Sequence, residues 1–450
     1  MLLQNNKTIL NMLLELFFRE LERLKIRYCV IGNYEKLPEY TSNDVDFWVD
    51  DVSLSLNALM KSAKEVGVNI YMQNITANGS NNYFYTVIEG KIEIIKIDLM
   101  SETAYKSFMP IVSSDLINKN RIKFKTFFVA NELIEGIMHL LYPLITFGTV
   151  KEKYRDKIFN LSSSIEFKNI LVNILGDELG ENTFSEIQKH NWKIIERSAI
   201  KIKKYLLLKM LMELNFKRLI IIFKYFYSIF KRSFNKNGIV ISFTGIDGAG
   251  KSSIKDYLID NSDKYFAKAR NKEFYWRPFL LPRIANVVGS KGQKEMFDIS
   301  GKRIVNSNFL DNFKGMIKYF YYAADFIFGQ VKYFKEAHTG GLIVFDRYHF
   351  DNIIYPERFG FKLNKRLMRF FDKYIIPQPD ILFYFTADSD VLYERKHEID
   401  LGEINAQKSI YSEEMNIRKD IITISTDDSF DNSINAVLSE CFQFMNKRYL

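Results

Sequence analysis

Cysteine is nearly missing from this chain: Cys29 and Cys441 are the whole supply in 450 residues. Two cysteines cannot build a disulfide framework or a cysteine-rich zinc site. Their scarcity fits a reducing compartment, so the expected location is the cytoplasm. Histidine is also scarce. His139, His190, His338, His349 and His397 share no metal-ligand spacing. No stretch reaches the ~18 apolar residues of a membrane span. The best candidate, 136–150, is too short and contains His139 and Pro143. The amino terminus has no basic start ahead of a clean apolar run, and Glu15, Arg19, Glu20 and Glu22 interrupt it. It reads as an amphipathic helix and not as a signal peptide. Internal repeats and low-complexity tracts are lacking too.

Aromatic residues are abundant, with 39 Phe and 26 Tyr, and 47 % of the chain is hydrophobic. That composition excludes a disordered or fibrous chain and supplies sizeable cores. At roughly 150 residues per domain, two or three domains are expected. The net charge of +9 has one source. Segment 201–236 holds ten Lys and Arg against one acid, Glu213, and the remainder sums to zero.

The apolar patterning predicts two α/β regions around that basic segment. In the first, helical spacing over 8–25 and 52–66 alternates with strand-like runs at 27–32, 45–49, 83–88 and 91–99, the last two joined as a hairpin. From about 130 to 234 the pattern is mostly helical. After Gly238, apolar runs (IVISFTG, LIVFD, ILFYFT, IITIS) alternate with helical stretches, which predicts a parallel sheet covered by helices. The expected organisation is an α+β domain over 1–130, a helical segment with a basic linker over 131–236, and a parallel α/β domain over 237–450.

The strongest motif is Gly245-x-x-x-x-Gly250-Lys251-Ser252, placed between a strand and a helix. Glycines let the backbone curl so that its N–H groups face phosphate oxygens, and the following helix adds its positive end. Gly245, Asp247, Gly248, Ala249, Gly250, Lys251, Ser252 and Ser253 are therefore the expected ATP-binding residues. Lys251 is aimed at the β- and γ-phosphates and the Ser252 hydroxyl at Mg²⁺. A second motif, LIVFDRY, delivers Asp346 and Arg347 at the carboxyl end of a buried strand, where open α/β sheets bind ligands. Asp346 is suited to Mg²⁺ and Arg347 to a second phosphate, the plain alternative being a surface ion pair.

The phosphate loop, the DRY and the run PQPDILFYFTADSDVLYERK resemble the thymidylate kinase family of P-loop nucleoside monophosphate kinases over about 238–450. The resemblance implies that Asp247 touches the acceptor sugar and that Asp346, Arg347 and Tyr348 form the family's DR[YH]. Tyr355 matches a family tyrosine, while Asp351 and Pro356 replace a serine and a glutamine. Trp276-Arg277-Pro278 is a shadow of the family's acceptor loop, which makes Arg277 a candidate for the acceptor phosphate. The run WRPFLLP (276–282) is closer to thymidylate kinase-like proteins encoded among surface-polysaccharide genes. Some family members carry an arginine in the phosphate loop, at the position of Gly248. Members without it take the catalytic arginine from a lid, which points to Arg395, followed by Lys396. The resemblance also implies a dimer; the chain itself leaves its oligomeric state open.

In the first region Asp44 and Asp46 sit two apart on a strand, so both carboxylates face one way. Asp98 follows on a later strand. Paired carboxylates of this kind suit Mg²⁺. Gly32-Asn33, ten residues, Asp44-Val45-Asp46 and then Asp98 resemble the nucleotidyltransferase fold over about 8–150. An acidic, merely solvated strand edge and an inactive nucleotide-binding member of the fold are the alternatives.

The expected function is transfer of the ATP γ-phosphoryl group to a small-molecule acceptor. The resemblance implies a nucleoside monophosphate, dTMP by default. A sugar or sugar phosphate, nucleotidyl transfer by the first region, and a non-catalytic nucleotide-binding scaffold are the other readings. Catalytic roles are expected for Lys251, Arg395, Arg347 and Asp346, acceptor contacts for Asp247, Arg277, Arg347, Tyr348 and Tyr355, and metal contacts for Ser252, Asp346, Asp44, Asp46 and Asp98. Three roles fit the basic segment 201–236: a packing helix with solvated lysines, a peripheral membrane contact, or a nucleic-acid contact. The absence of an aromatic RNA-binding motif speaks against the last.

Overall fold

A computed structural model describes residues 8–38, 44–267, 270–282, 309–359, 361, 363–395 and 400–449; for 309–312 only the backbone is described. The chain divides into two compact units: Met1–Thr86 with Glu93–Lys231, and Arg232–Leu450 with Val87–Ile92.

The first unit opens on a helix, Ile9–Arg23, whose Thr8 side chain accepts from the Asn11 N–H and caps it. Leu10, Leu13, Leu14, Phe17 and Leu21 recur at helical spacing and are all buried, so one apolar stripe faces the core. Nine strands follow: β1 (Tyr28–Ile31), β2 (Asp44–Val49), β3 (Asn69–Ile75), β4 (Gly79–Ile88), β5 (Lys91–Met100), β6 (Thr103–Tyr105), β7 (Met109–Val112), β8 (Arg121–Phe124) and β9 (Phe127–Ala130). Seven of them form one mixed sheet in the order β3-β4-β5-β2-β1-β9-β8, and β6 and β7 pair separately. β2 runs parallel to β5 and antiparallel to β1. The parallel register sets Asp46 opposite Asp98 and Asp44 opposite Lys96.

Helices then dominate, beginning with Glu132–Phe147, capped by Asn131 and closed at Gly148. The helices from Glu132 to Met212 share one core with Cys29 and Trp48 of the sheet, through Ile134, Leu141, Phe167, Leu171 and Ile202. They therefore bury their apolar faces on the sheet's own unit. A 19-residue helix, Phe216–Phe234, follows. Among the described residues, no helix is long and apolar enough to cross a membrane.

The second unit carries β10 (Ile239–Gly245), β11 (Lys272–Tyr275), β12 (Leu342–Asp346), β13 (Ile381–Thr386) and β14 (Ile421–Ser425). They form a sheet in the order β11-β12-β10-β13-β14, and every neighbouring pair is parallel. β10 is central and buried along its whole length. Its near-continuous apolar run reflects burial on both faces. Helices Lys251–Asp260, Phe309–Phe328, His349–Ile354, Lys365–Tyr374, Leu401–Ile417 and Phe430–Asn446 accompany the sheet. A parallel sheet accompanied by helices, with the glycine-rich loop after its central strand, is the architecture the sequence predicts for 237–450. All strands point one way, so the loops after β10, β12 and β13 leave the same edge.

Candidate functional site

β10 ends at Gly245, with φ at +135°. A Cβ there would lie 2.2 Å from the Phe385 carbonyl oxygen of β13, so only glycine lets the two strands pass at this point. The loop continues to Gly250, and the helix Lys251–Asp260 starts without a side-chain cap. The orphan N–H groups of its first turn are left for a ligand, the arrangement that binds phosphate.

Lys251 is buried. Its ammonium donates to the carbonyls of Gly245 at 2.9 Å and Ile246 at 2.6 Å, and lies 3.8 Å from Asp247. Burial, reinforced by the charge of Arg347, pulls its pKa down to about 8 against the carboxylates of Asp247, Asp351 and Asp346.

β12 delivers Asp346 and Arg347 beside this loop. Arg347 has φ of +73°, uncommon for a residue with a side chain, and its N–H is held by the Phe243 carbonyl at 2.9 Å. Its guanidinium bridges Asp247 Oδ1 at 2.8 Å and Asp351 Oδ1 at 2.9 Å. Asp351 is fully buried and also accepts from Thr244 Oγ1 at 3.0 Å and the Tyr348 N–H at 3.2 Å. Tyr411 completes the knot, its hydroxyl accepting from the Gly245 N–H at 3.2 Å. Asp351 thus gives the buried Arg347 a fixed counter-charge.

A cleft of ≈ 590 Å³ opens over these groups. Among the sequence-predicted residues it is lined by Asp247, Gly248, Gly250, Lys251, Ser252, Ser253, Asp346, Arg347 and Arg395. Arg395 is anchored on the wall, donating to Thr426 Oγ1 at 2.9 Å and the Thr426 carbonyl at 2.7 Å. Lys396 lies outside the described residues. Gly245 and Ala249 shape the loop from beneath: Ala249 is buried and its N–H donates to the Ile246 carbonyl.

The acceptor candidates separate. Tyr355 has a buried hydroxyl without a hydrogen-bond partner. Burial pushes that hydroxyl well above the usual phenol range, and the nearby charge of Arg347 acts the other way. Tyr348 turns into the core, with its hydroxyl donating to the Pro377 carbonyl at 2.6 Å. Arg277 is completely buried. Its NH1 donates to Asp325 Oδ2 at 2.6 Å and to the Leu281 carbonyl, and its guanidinium lies over Phe279 and Tyr322. The N–H groups of Phe279 and Leu281 also donate to Asp325, so the WRPFLLP loop is wound around one buried ion pair. Nε and NH2 of Arg277 have no hydrogen bond. None of Arg277, Tyr348 and Tyr355 lines the cleft.

Residues that no motif announced complete the lining: Ile254, Tyr275, Arg358, Thr426, Asp428, Phe430 and Ser433. Arg358 is half-buried, three positions past Tyr355, and its N–H is held by the Tyr355 carbonyl. The sequence signal was a lone Arg after the YP turn, which is indistinguishable from a surface arginine.

The first unit gathers its own carboxylates. Oxygens of Asp44, Asp46 and Asp98 all lie within 4.8 Å of one another. Lys96 reaches Asp44 at 3.1 Å and Asp98 at 2.7 Å. Burial, with the charges of Asp98 and Asp44, pushes the Asp46 carboxyl well above the usual range. Asp98 Oδ1 is buried without a hydrogen-bond partner. Three converging oxygen donors with one unsatisfied lone-pair atom fit a divalent cation. Ser252 and Asp346 offer the same donor type in the other unit. Gly32 and Asn33 both take positive φ, +66° and +52°, at the turn after β1.

The chain matches no protein-family model and no curated protein. Among solved structures it is similar to the thymidylate kinase of Candida albicans, at 17 % identity and a TM-score of 0.32, over 47 % of this chain and 94 % of that one. Similarity to the thymidylate kinase of Ehrlichia chaffeensis is 14 % identity and 0.30, over 45 % and 97 %. For the deoxyadenosine kinase of M. mycoides, solved with dATP, the values are 16 % and 0.24, over 44 % and 97 %. Each match takes in nearly the whole of the other protein and less than half of this chain.

Proposed function

We propose that the second unit is an ATP-dependent phosphotransferase acting on a nucleoside monophosphate, with dTMP the first acceptor to try. One observation carries this reading: Lys251, Ser252, Asp346 and Arg347 converge on one cleft at the carboxyl edge of a parallel sheet. In the reaction the bond from the γ-phosphorus to its bridging oxygen breaks and a bond to an acceptor oxygen forms. The attacking oxygen is an already ionised oxygen of the acceptor's own phosphate, so no proton has to be removed, and ADP leaves. Loop N–H groups hold the phosphates, and Lys251 exchanges its two carbonyl contacts for phosphate oxygens. Ser252 and Asp346 would hold Mg²⁺, which neutralises the phosphate charge. Arg347, pre-set between Asp247 and Asp351, meets the acceptor side. Arg395 and Arg358 supply positive charge at the cleft wall, as charge spreads over the transferred group.

The test is ADP formation by purified protein with Mg²⁺-ATP and a panel of acceptors: dTMP, other monophosphates, then sugars and sugar phosphates. Turnover on monophosphates that is lost in Lys251→Ala supports the reading. Turnover confined to sugars gives the runner-up, a sugar or sugar-phosphate kinase. Nucleotide binding without turnover would leave a scaffold.

The carboxylates of the first unit favour a second activity, Mg²⁺-dependent nucleotidyl transfer. Asp44, Asp46 and Asp98 would hold the cation, whose chemistry is neutralisation of a triphosphate. Pyrophosphate release lost in Asp44→Asn and Asp46→Asn supports it; no release with any of the four nucleoside triphosphates counts against it.

A further inference from the structure

We infer that the outward face of the helix Phe216–Phe234 is a docking surface for an anionic lipid bilayer. The helix is tied down on one side. Arg218 forms a two-pronged ion pair with Glu102, at 2.6 and 3.2 Å, and Tyr225 packs on Phe108 with ring centroids 4.8 Å apart. Ile221, Ile222 and Ser228 share that inner face and are at least partly covered. The opposite face is apolar and exposed. Phe216 is 77 % exposed, Leu219 49 %, Phe223 71 %, Phe226 63 % and Tyr227 55 %. Their spacing of three, four and seven gathers them into one stripe, about a third of the helix circumference. So many large apolar side chains in a row are not scattered surface residues; a contiguous patch of this kind marks an interaction site. Leu208, Leu211 and Met212 of the preceding helix are exposed as well.

Charge selects the occupant. Lys217, Lys224 and Lys231 recur every seven residues, are exposed, and border the stripe along one edge. Within 201–236 ten basic residues face one acid, Glu213. An aromatic stripe edged by lysines is the make-up of a helix lying in the plane of a bilayer, with rings below the headgroups and ammonium groups beside the lipid phosphates. A second copy of this chain would instead set one lysine-rich helix against another.

The experiment is flotation of the full chain with vesicles, equimolar phosphatidylglycerol and phosphatidylcholine against phosphatidylcholine alone. Binding is expected to the anionic vesicles only and to weaken with salt. Replacing Lys217, Lys224 and Lys231 together by Ala should weaken it about 100-fold, at about 1 kcal/mol per lysine. Replacing Phe216, Phe223 and Phe226 by Ser should abolish it. Unchanged melting temperatures would show that both variants fold, as exposed side chains allow. Two results would overturn the inference: no binding to anionic vesicles by the native chain, or binding that survives the Phe variant. A dimer in light scattering that the Phe variant dissolves, without vesicle binding, would assign the face to a second copy.

Discussion

At the scale of single residues, the phosphate site is organised by charges that are buried in pairs. Arg347 is 5 % exposed and Asp351 fully buried, and each satisfies the other. Removing Asp351 leaves the buried Arg347 only the partly exposed Asp247 as counter-charge and strands the Thr244 hydroxyl and the Tyr348 N–H. Asp351→Ala should destabilise the second unit by about 3–5 kcal/mol, read from denaturant unfolding. Arg358→Ala should behave oppositely. Its half-buried guanidinium lines the cleft, so phosphoryl transfer should fall roughly 100-fold with the melting temperature unchanged. In the first unit His139 stacks on Tyr154 at 3.7 Å, and its Nδ1 lies 3.7 Å from Glu135. Burial, then the charges of Lys157, Lys153 and Lys151, pulls its pKa from 6.5 down to about 4. Below pH 6.5 the unfolded chain takes the proton first. The stability this neutral ring carries is therefore complete above that pH and is lost as pH falls towards 4, on the order of 1–3 kcal/mol. His139→Phe keeps the stack and should flatten the decline between pH 6.5 and 4 in unfolding midpoints.

At the scale of elements, the readable parts were those whose chemistry depends on neighbours in sequence. The phosphate loop announces itself because its glycines, lysine and serine must be adjacent. Asp44 and Asp46 announce themselves through strand alternation. Their meeting with Asp98 was only a guess from a third acid between apolar residues; the parallel β2–β5 register makes it a juxtaposition. Arg358, Thr426, Asp428 and Phe430 reach the cleft from loops and helices up to 180 residues after the loop, and nothing local marks them. Arg277 shows the converse. The sequence offered an acceptor-binding arginine, while the fold surrounds it with Asp325, Phe279 and Tyr322. No local pattern reports that Asp325, 48 residues away, will be its partner. The sharpest prediction at this scale concerns the β10–β13 pair. Gly245→Ala places a Cβ 2.2 Å from the Phe385 carbonyl oxygen at a φ of +135°. Neither strand can retreat without losing ladder bonds, so ATP binding should be lost and the second unit should melt earlier by calorimetry.

At the scale of the whole chain, two compact units each carry a set of chemistry-bearing residues. The helices after Glu132 illustrate why their grouping was hard to read. Their apolar faces looked like a connector, yet Trp48 and Cys29 show that those faces close the first sheet's core. Periodicity reveals that a face must be buried but not on which partner. If the sites work independently, Asp44→Asn with Asp46→Asn should leave ADP formation unchanged within about twofold, and Lys251→Ala should leave pyrophosphate release unchanged, since the effects of uncoupled sites add. Parallel assays of both products on the two variants read this directly.

The central claim is phosphoryl transfer at the Lys251 cleft. It is tested most directly by following the label of γ-labelled ATP in the presence of dTMP and Mg²⁺. The account predicts label in dTDP, at about 1 s⁻¹ or faster, and its disappearance in Lys251→Ala. Label found only in inorganic phosphate, or transferred equally well by the Lys251 variant, would contradict it.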